Sequence, residues 1–315
     1  MADKFKASSG LPTSNEQRYH YDIYAILEGP QEVYLGHDVA VNVNLVETVK
    51  IAAPQGERDI EKCYLSPTKR RGIERRALIN MDINGMLLGE KFGCGIPHTC
   101  GQQNCPICRI FGAMLPSEIE VEIPNVEQPV KRSPVTYVGR LTHGGGTAVQ
   151  EQAPAEKQRA MHPSNLRREG ESPMPFKREY NEPGLLYPIY NHALSVAQSE
   201  FNGAAYAFLQ SLARLGAGNP KGMALFYSDV LTGALEPMLV VDKYLSPLGS
   251  RPVISPHITD VDEALKRFSI LAHTVQGQEQ KEIHIKHERF ERWMGNEALK
   301  ILQEWADLFV QDMLK

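Results

Sequence analysis

Four cysteines within fifteen residues, Cys94, Cys100, Cys105 and Cys108, constrain this chain more than any other feature. Cys63 stands apart from them. In a reducing compartment such a cluster points to a metal rather than to disulfides. The spacing is Cys-x5-Cys-x4-Cys-x2-Cys, with His98 between the first two. Zinc takes four nitrogen or sulfur ligands in a tetrahedron, and Cys105-Pro106-Ile107-Cys108 has the form of a half-site knuckle. Gly93, Gly95 and Gly101 allow the tight turns a metal loop needs. A zinc ion is expected, held by the four cysteines or by three of them with His98. The competing reading is a group of ordinary reduced cysteines. Four ligands close the coordination sphere, so the ion would be structural. The His-x-Glu and Pro-Cys-x-x-Cys pairing of zinc deaminases is absent, as is His-Glu-x-x-His.

At 315 residues the chain makes one large domain or two ordinary ones. Its 42% hydrophobic and 23% charged residues exclude wholesale disorder. No apolar run approaches the length of a membrane span, and Met1–Phe5 opens no apolar signal region, so a cytoplasmic protein is expected. The net charge of −4 excludes a uniformly basic protein but not local basic patches.

Tyr19 to Leu27 alternates as a strand. Ser66-Pro67 starts a helix to about Met81, with a capping hydroxyl and proline at the first position. Glu118 to Ile123 alternates again. Residues 139–180 hold Gly144-Gly145-Gly146, several prolines and few large apolar residues, and read as a long loop. A strand over 185–196, a helix carrying Phe201 to Leu215 and a strand over 223–227 follow. A helix capped by Thr259 and a last helix from about His287 to Leu314 close the chain. The order fits an α+β fold with an antiparallel sheet, most simply a ferredoxin-like core with insertions.

Residues 62–76 carry Lys62, Lys69, Arg70, Arg71, Arg75 and Arg76 against Glu74 alone. Several of these charges lie at or near a helix start, where backbone donors and the dipole also favour anions. Phosphate is the expected ligand, and a solvated helix face is the plain alternative. Residues 131–178 hold nine cations against four acids and could close over a nucleic-acid backbone; a disordered surface loop would look the same. The Gly216–Gly222 segment could approach a phosphate but lacks the Gly-Lys-Ser/Thr of a Walker loop, and a helix C-cap explains it equally well.

Three segments in order resemble the CRISPR-associated RAMP superfamily. Cys108-Arg109-Ile110-Phe111-Gly112 resembles its (Cys)-Arg-Leu-Phe-Gly signature. Ser66-Pro67-Thr68-Lys69-Arg70-Arg71-Gly72 followed by Arg75 resembles its Pro-Gly-Ser-Ser-Leu-Lys-Gly-x-x-Arg helix start. Leu212–Gly222 resembles its glycine-rich loop. With the first strand these matches span roughly residues 20–230. The plan is similar to the guide-RNA-binding backbone subunit, in its type IV form.

The resemblance implies one RRM-like domain over 1–315: a ferredoxin/RRM-like palm with a zinc-binding finger insertion at 90–112, a thumb at 139–180 and C-terminal helices at 255–315. It implies copies of the chain in a helical filament along guide RNA (crRNA), in an antiviral ribonucleoprotein complex with other CRISPR effector subunits and a DNA or RNA target. Carried across, Lys69, Arg70, Arg71, Arg75 and Arg76 lie on the guide backbone, Gly218 and Lys221 near the same phosphates, and Arg140, Arg167 and Arg168 on the thumb. Target-cutting relatives use an aspartate after the first strand. Asp38 and Asp59 give no convincing match to it, so a non-enzymatic scaffold is expected. A metal-dependent RNA endonuclease of the same fold and a zinc-stabilised protein-binding module are the alternatives. Residues 255–315 carry eight basic and eleven acidic side chains and are expected to pack or contact subunits rather than RNA.

Overall fold

A computed structural model describes residues 16–35, 38–40, 43–53, 58–102, 104–151, 155–160, 175–216 and 221–315. The side chains of 38–40, 43–44, 137, 155–160 and 175–178 lie outside that description. Strand β1 (Arg18–Glu28) is central. Helix α1 is Pro67–Ile79, followed by the short α2 (Leu88–Phe92) and α3 (Pro106–Phe111). Strands β2 (Leu141–Gly145) and β3 (Leu186–Ala197), helix α4 (Gln198–Leu212) and strand β4 (Leu239–Tyr244) complete the core. Helix α5 (Val261–His273), strands β5 (His284–His287) and β6 (Phe290–Met294) and helix α6 (Gly295–Leu314) end the chain.

The main sheet runs β2-β3-β1-β4-β6-β5, with Ala224–Leu225 paired to the end of β1. Every pairing in it is antiparallel. The order β1-α1-β2-β3-α4-β4 with strand sequence β2-β3-β1-β4 is a βαββαβ core, as the ferredoxin-like expectation requires. On one face Tyr21, Ile23, Ala25 and Leu27 pack with residues of α4 and α6, such as Phe201, Phe208, Trp305 and Phe309. On the other, Tyr24 and Ile26 meet Ala264, Leu265 and Phe268 of α5. Burial on both faces is why β1 is apolar at successive positions.

Three expectations change. The 139–180 stretch is not one long loop: Leu141–Gly145 is an edge strand of the main sheet, and Ala155–Ala160 pairs with Pro175–Tyr180. Glycine-rich β2 hides its strand character because Tyr190 of β3 fills the space of a Gly144 side chain, 1.9 Å from where a Cβ would stand. The last helix starts at Gly295 rather than His287; Phe290–Met294 is a strand pairing with β4, and Gly295, at φ +58°, makes the break. The region 255–315 therefore supplies two strands as well as helices. The cap of α5 is Asp260, whose carboxylate accepts from the Glu263 backbone N–H at 2.8 Å, and not Thr259. Among the described residues no helix is long and apolar enough to cross a membrane.

Candidate nucleic-acid interface and metal centre

Helix α1 has two unlike faces. Arg70, Glu74, Ala77 and Leu78 recur at helical spacing and are buried. The Arg70 guanidinium donates to Asn191 Oδ1 at 3.0 Å and to the Gly144 carbonyl at 2.5 Å. Glu74 accepts from Asn191 Nδ2 at 3.1 Å and lies 2.8 Å from His143 Nε2. This network fastens α1 to the β2–β3 edge. Desolvation pulls the Arg70 pKa down to about 10, which leaves it cationic at neutral pH. With 1% of its surface exposed, Arg70 is an internal brace and offers nothing to a backbone outside, contrary to the sequence expectation. Ser66 makes no side-chain cap bond, so Pro67 alone marks the start.

The outward face carries Thr68, Gly72, Arg75 and Arg76. A Cβ at Gly72 would meet nothing within 4 Å, so the helix is open there. Arg76 is exposed, and Arg75 is half-buried. The Arg75 Nε and Nη2 atoms are shielded from water and have no hydrogen-bond partner. Buried donors without an acceptor cost free energy, so these atoms hold the Arg75 side chain at some expense to the fold. Arg71 donates to the Phe111 carbonyl; burial and then the neighbouring Arg75 charge lower its pKa. Lys69 bridges the Leu35 carbonyl at 2.8 Å and the Glu47 carboxylate at 2.7 Å, a partly exposed pair. Lys221 is exposed, and its carbonyl accepts from Gln31 Nε2 at 2.6 Å. Both lysines therefore border the segment 31–35.

Arg140 stands elsewhere. It lines a small recess with Arg109 and Glu200. Glu200 is gripped by Arg109, with Nε at 2.8 Å, and reached by Arg18 at 3.4 Å. Burial and then the Arg18 and Arg109 charges lower the Arg140 pKa. Arg109 of the signature segment thus ties α3 to the first turn of α4. Its pairing was not foreseen: nothing in the sequence links positions 91 residues apart. Arg167, Arg168 and Gly218 lie outside the described residues. Asp59 is exposed and accepts from the Ala53 backbone N–H at 3.2 Å.

The four clustered cysteines converge. All are buried, and their sulfurs lie within 4.8 Å of one another, with Cys94–Cys108 at 3.4 Å and Cys100–Cys108 at 3.6 Å. A tetrahedron of thiolates around zinc has S–S edges of about 3.8 Å, from metal–sulfur bonds of about 2.3 Å. The set could hold a metal ion such as zinc, and exposed His98 is not part of it. Hydrogen bonds from Cys100, Cys105 and Cys108 hold the Cys94 thiol well below its ordinary range, while those to Cys100, Cys108 and Cys94 push Cys105 up. Only a cation lets all four be thiolates together. Gly93 and Gly101 take positive φ, and a Cβ at Gly101 would stand 2.1 Å from Val135 Cγ1. Buried Thr99 stitches the loop to Met114, its hydroxyl at 3.1 Å from both backbone N and O.

No family model and no curated protein matches the sequence. Among solved structures the chain is similar to a chain of the Csm3–Csm4 subcomplex in the type III-A CRISPR-Cas interference complex. That alignment has 11% identity and covers 72% of this chain and 80% of that one, with a TM-score of 0.32. It is also similar to Csc2 of Thermofilum pendens, at 12% identity, 94% and 80% coverage and a TM-score of 0.33. Superpositions this loose assign no function.

Proposed function

We propose that this chain is a non-enzymatic, guide-RNA-binding backbone subunit of a CRISPR effector complex, of the RAMP superfamily and in its type IV form. The observation that carries the reading is the outward face of α1: open at Gly72, with Arg76 exposed and Arg75 half-buried beside it. A phosphodiester supplies the acceptors and the charge those groups need. The three ordered sequence resemblances and the βαββαβ core support the same reading. Lys69 and Lys221 would follow the backbone, and Arg70 belongs to the scaffold. Copies of the chain would line up along the guide, with sequence specificity left to base pairing. The four cysteines would hold one zinc ion that braces the finger against α3.

Purification from cells expressing a candidate guide, with nucleic-acid content and particle size measured in low and high salt, tests this. A large particle carrying RNA of uniform length is expected. A monomer that neither carries nor binds guide would contradict it and favour a protein-binding module.

A further inference from the structure

A cavity of about 280 Å³ lies between the end of β2 and the segment 252–258, and the RNA-binding reading does not use it. Tyr64, Thr147, Tyr190, Val253 and Ser255 are among its walls. One side is the end of the main sheet; the other is the proline-rich strap 252–258. Lys62 holds the two together. Its buried ammonium donates to the Val149 carbonyl at 2.7 Å and to the Ile258 carbonyl at 2.6 Å, and both residues line the cavity. The space is thus fixed by a strut and does not depend on a ligand to open it.

The walls favour a flat aromatic ring. Tyr190 is half-buried, with the Arg251 guanidinium 5.6 Å from its ring centre and the His192 ring at 4.9 Å. His192 is oriented by Asp22, 2.7 Å away, and Arg251 lies 2.6 Å from its other nitrogen. This places a stacking surface beside a cation, the pairing by which proteins hold single-stranded bases. Thr147, Ser255 and Tyr64 bring hydroxyls that can meet a base edge. An apolar side chain would leave these groups unused. The volume is near the lower end for small-molecule pockets, which suits one base and not a longer ligand. Tyr64 precedes Pro67, the first residue of α1, by three residues, so the cavity lies near the start of that helix.

We infer that this cavity receives one unstacked nucleobase of the bound RNA, stacked on Tyr190 and held at its edge by the Thr147, Ser255 and Tyr64 hydroxyls. The inference rests on the RNA-binding reading. It is tested with full-length protein and single-stranded RNA carrying 4-thiouridine, by mapping photo-cross-links and measuring affinity. The wild type is expected to cross-link in the peptides holding Tyr64 or Tyr190. Val253→Trp, which fills the cavity from its roof, should cut that yield and weaken binding at least fivefold. Ser255→Trp, at an exposed rim position, serves if the first variant melts early. Arg75→Glu should weaken binding but leave the cross-link position unchanged in the RNA still bound at saturation. Cross-links elsewhere, with both tryptophan variants binding RNA normally, would overturn the inference and leave the RNA-binding reading standing. Loss of self-association with cross-links and affinity unchanged would overturn it in favour of a neighbouring chain's side chain. Absence of any RNA binding by the wild type would overturn both.

Discussion

Arg292 grips both carboxylate oxygens of Asp242, Nε to Oδ1 and Nη2 to Oδ2 at 2.6 Å each, with both side chains shut away from water. The same guanidinium donates to the carbonyls of Ala272 at 2.7 Å and Ser250 at 2.8 Å. One side chain therefore binds β6 to β4, to the end of α5 and to the segment entering the strap. A single cut here strands a buried charge. Asp242→Asn should cost about 3–5 kcal/mol of stability, the usual loss when one partner of a buried pair is removed. Chemical denaturation of the two proteins measures it; a loss below about 1 kcal/mol would mean water reaches Arg292.

The cysteine geometry predicts close to one zinc per chain by elemental analysis. Cys105→Ser should lose the metal and destabilise the 94–108 segment, and His98→Ala should keep it. Cys63 gives an internal control. Burial pushes its thiol up to about 12, so it should resist alkylation in the folded protein at pH 8 and react only on unfolding. Retention of metal by Cys105→Ser would show that another ligand completes the set.

Two positions on opposite faces of α1 should respond in opposite ways. Arg70→Leu leaves Asn191 Oδ1, the Gly144 carbonyl and Glu74 without their cation, and should cost about 3–5 kcal/mol. Arg76→Glu, at an exposed position, should stay within about 0.5 kcal/mol of the wild type in stability. Melting curves of the two variants settle this. A destabilised Arg76→Glu with an intact Arg70→Leu would invert the assignment of the two faces.

The Lys62 strut predicts a pH effect. Desolvation lowers its pKa from the ordinary 10.5 to about 8. Between those values the unfolded chain holds a proton that the folded chain has released, so stability rises with pH across that window. The neutral amine keeps two N–H donors for the same carbonyls. Relative to Lys62→Met, the wild type should therefore gain in denaturation midpoint from pH 8 to pH 10. A constant difference between the two proteins would show that the ammonium is as well solvated folded as unfolded.

How far the sequence carried differs from site to site. The strand at Tyr19–Leu27, the Pro67 helix start and the cysteine cluster were legible because each rests on local chemistry: alternation, a fixed φ, ligand spacing. The burial of Arg70 was not, since a run of Lys69, Arg70 and Arg71 looks uniformly solvated until helical phase turns one member inward against Asn191. Strand β2 was missed because its glycines are selected by Tyr190, 46 residues from Gly144. The strand at Phe290–Met294 was absorbed into the following helix because both are rich in large apolar residues, and only Gly295 separates them. The Tyr190, His192 and Arg251 surface is assembled from β3 and the residue entering the strap, and no local pattern announces it.

The central claim is that the outward face of α1 holds a nucleic-acid backbone. Affinity of guide-length RNA for the wild type and for Arg75→Glu/Arg76→Glu, measured across a salt series, tests it most directly. The account predicts a wild-type affinity that falls steeply with salt, and a variant that folds normally, binds at least tenfold more weakly and has a salt slope shallower by about two. Equal affinities and equal slopes for the two proteins would contradict it.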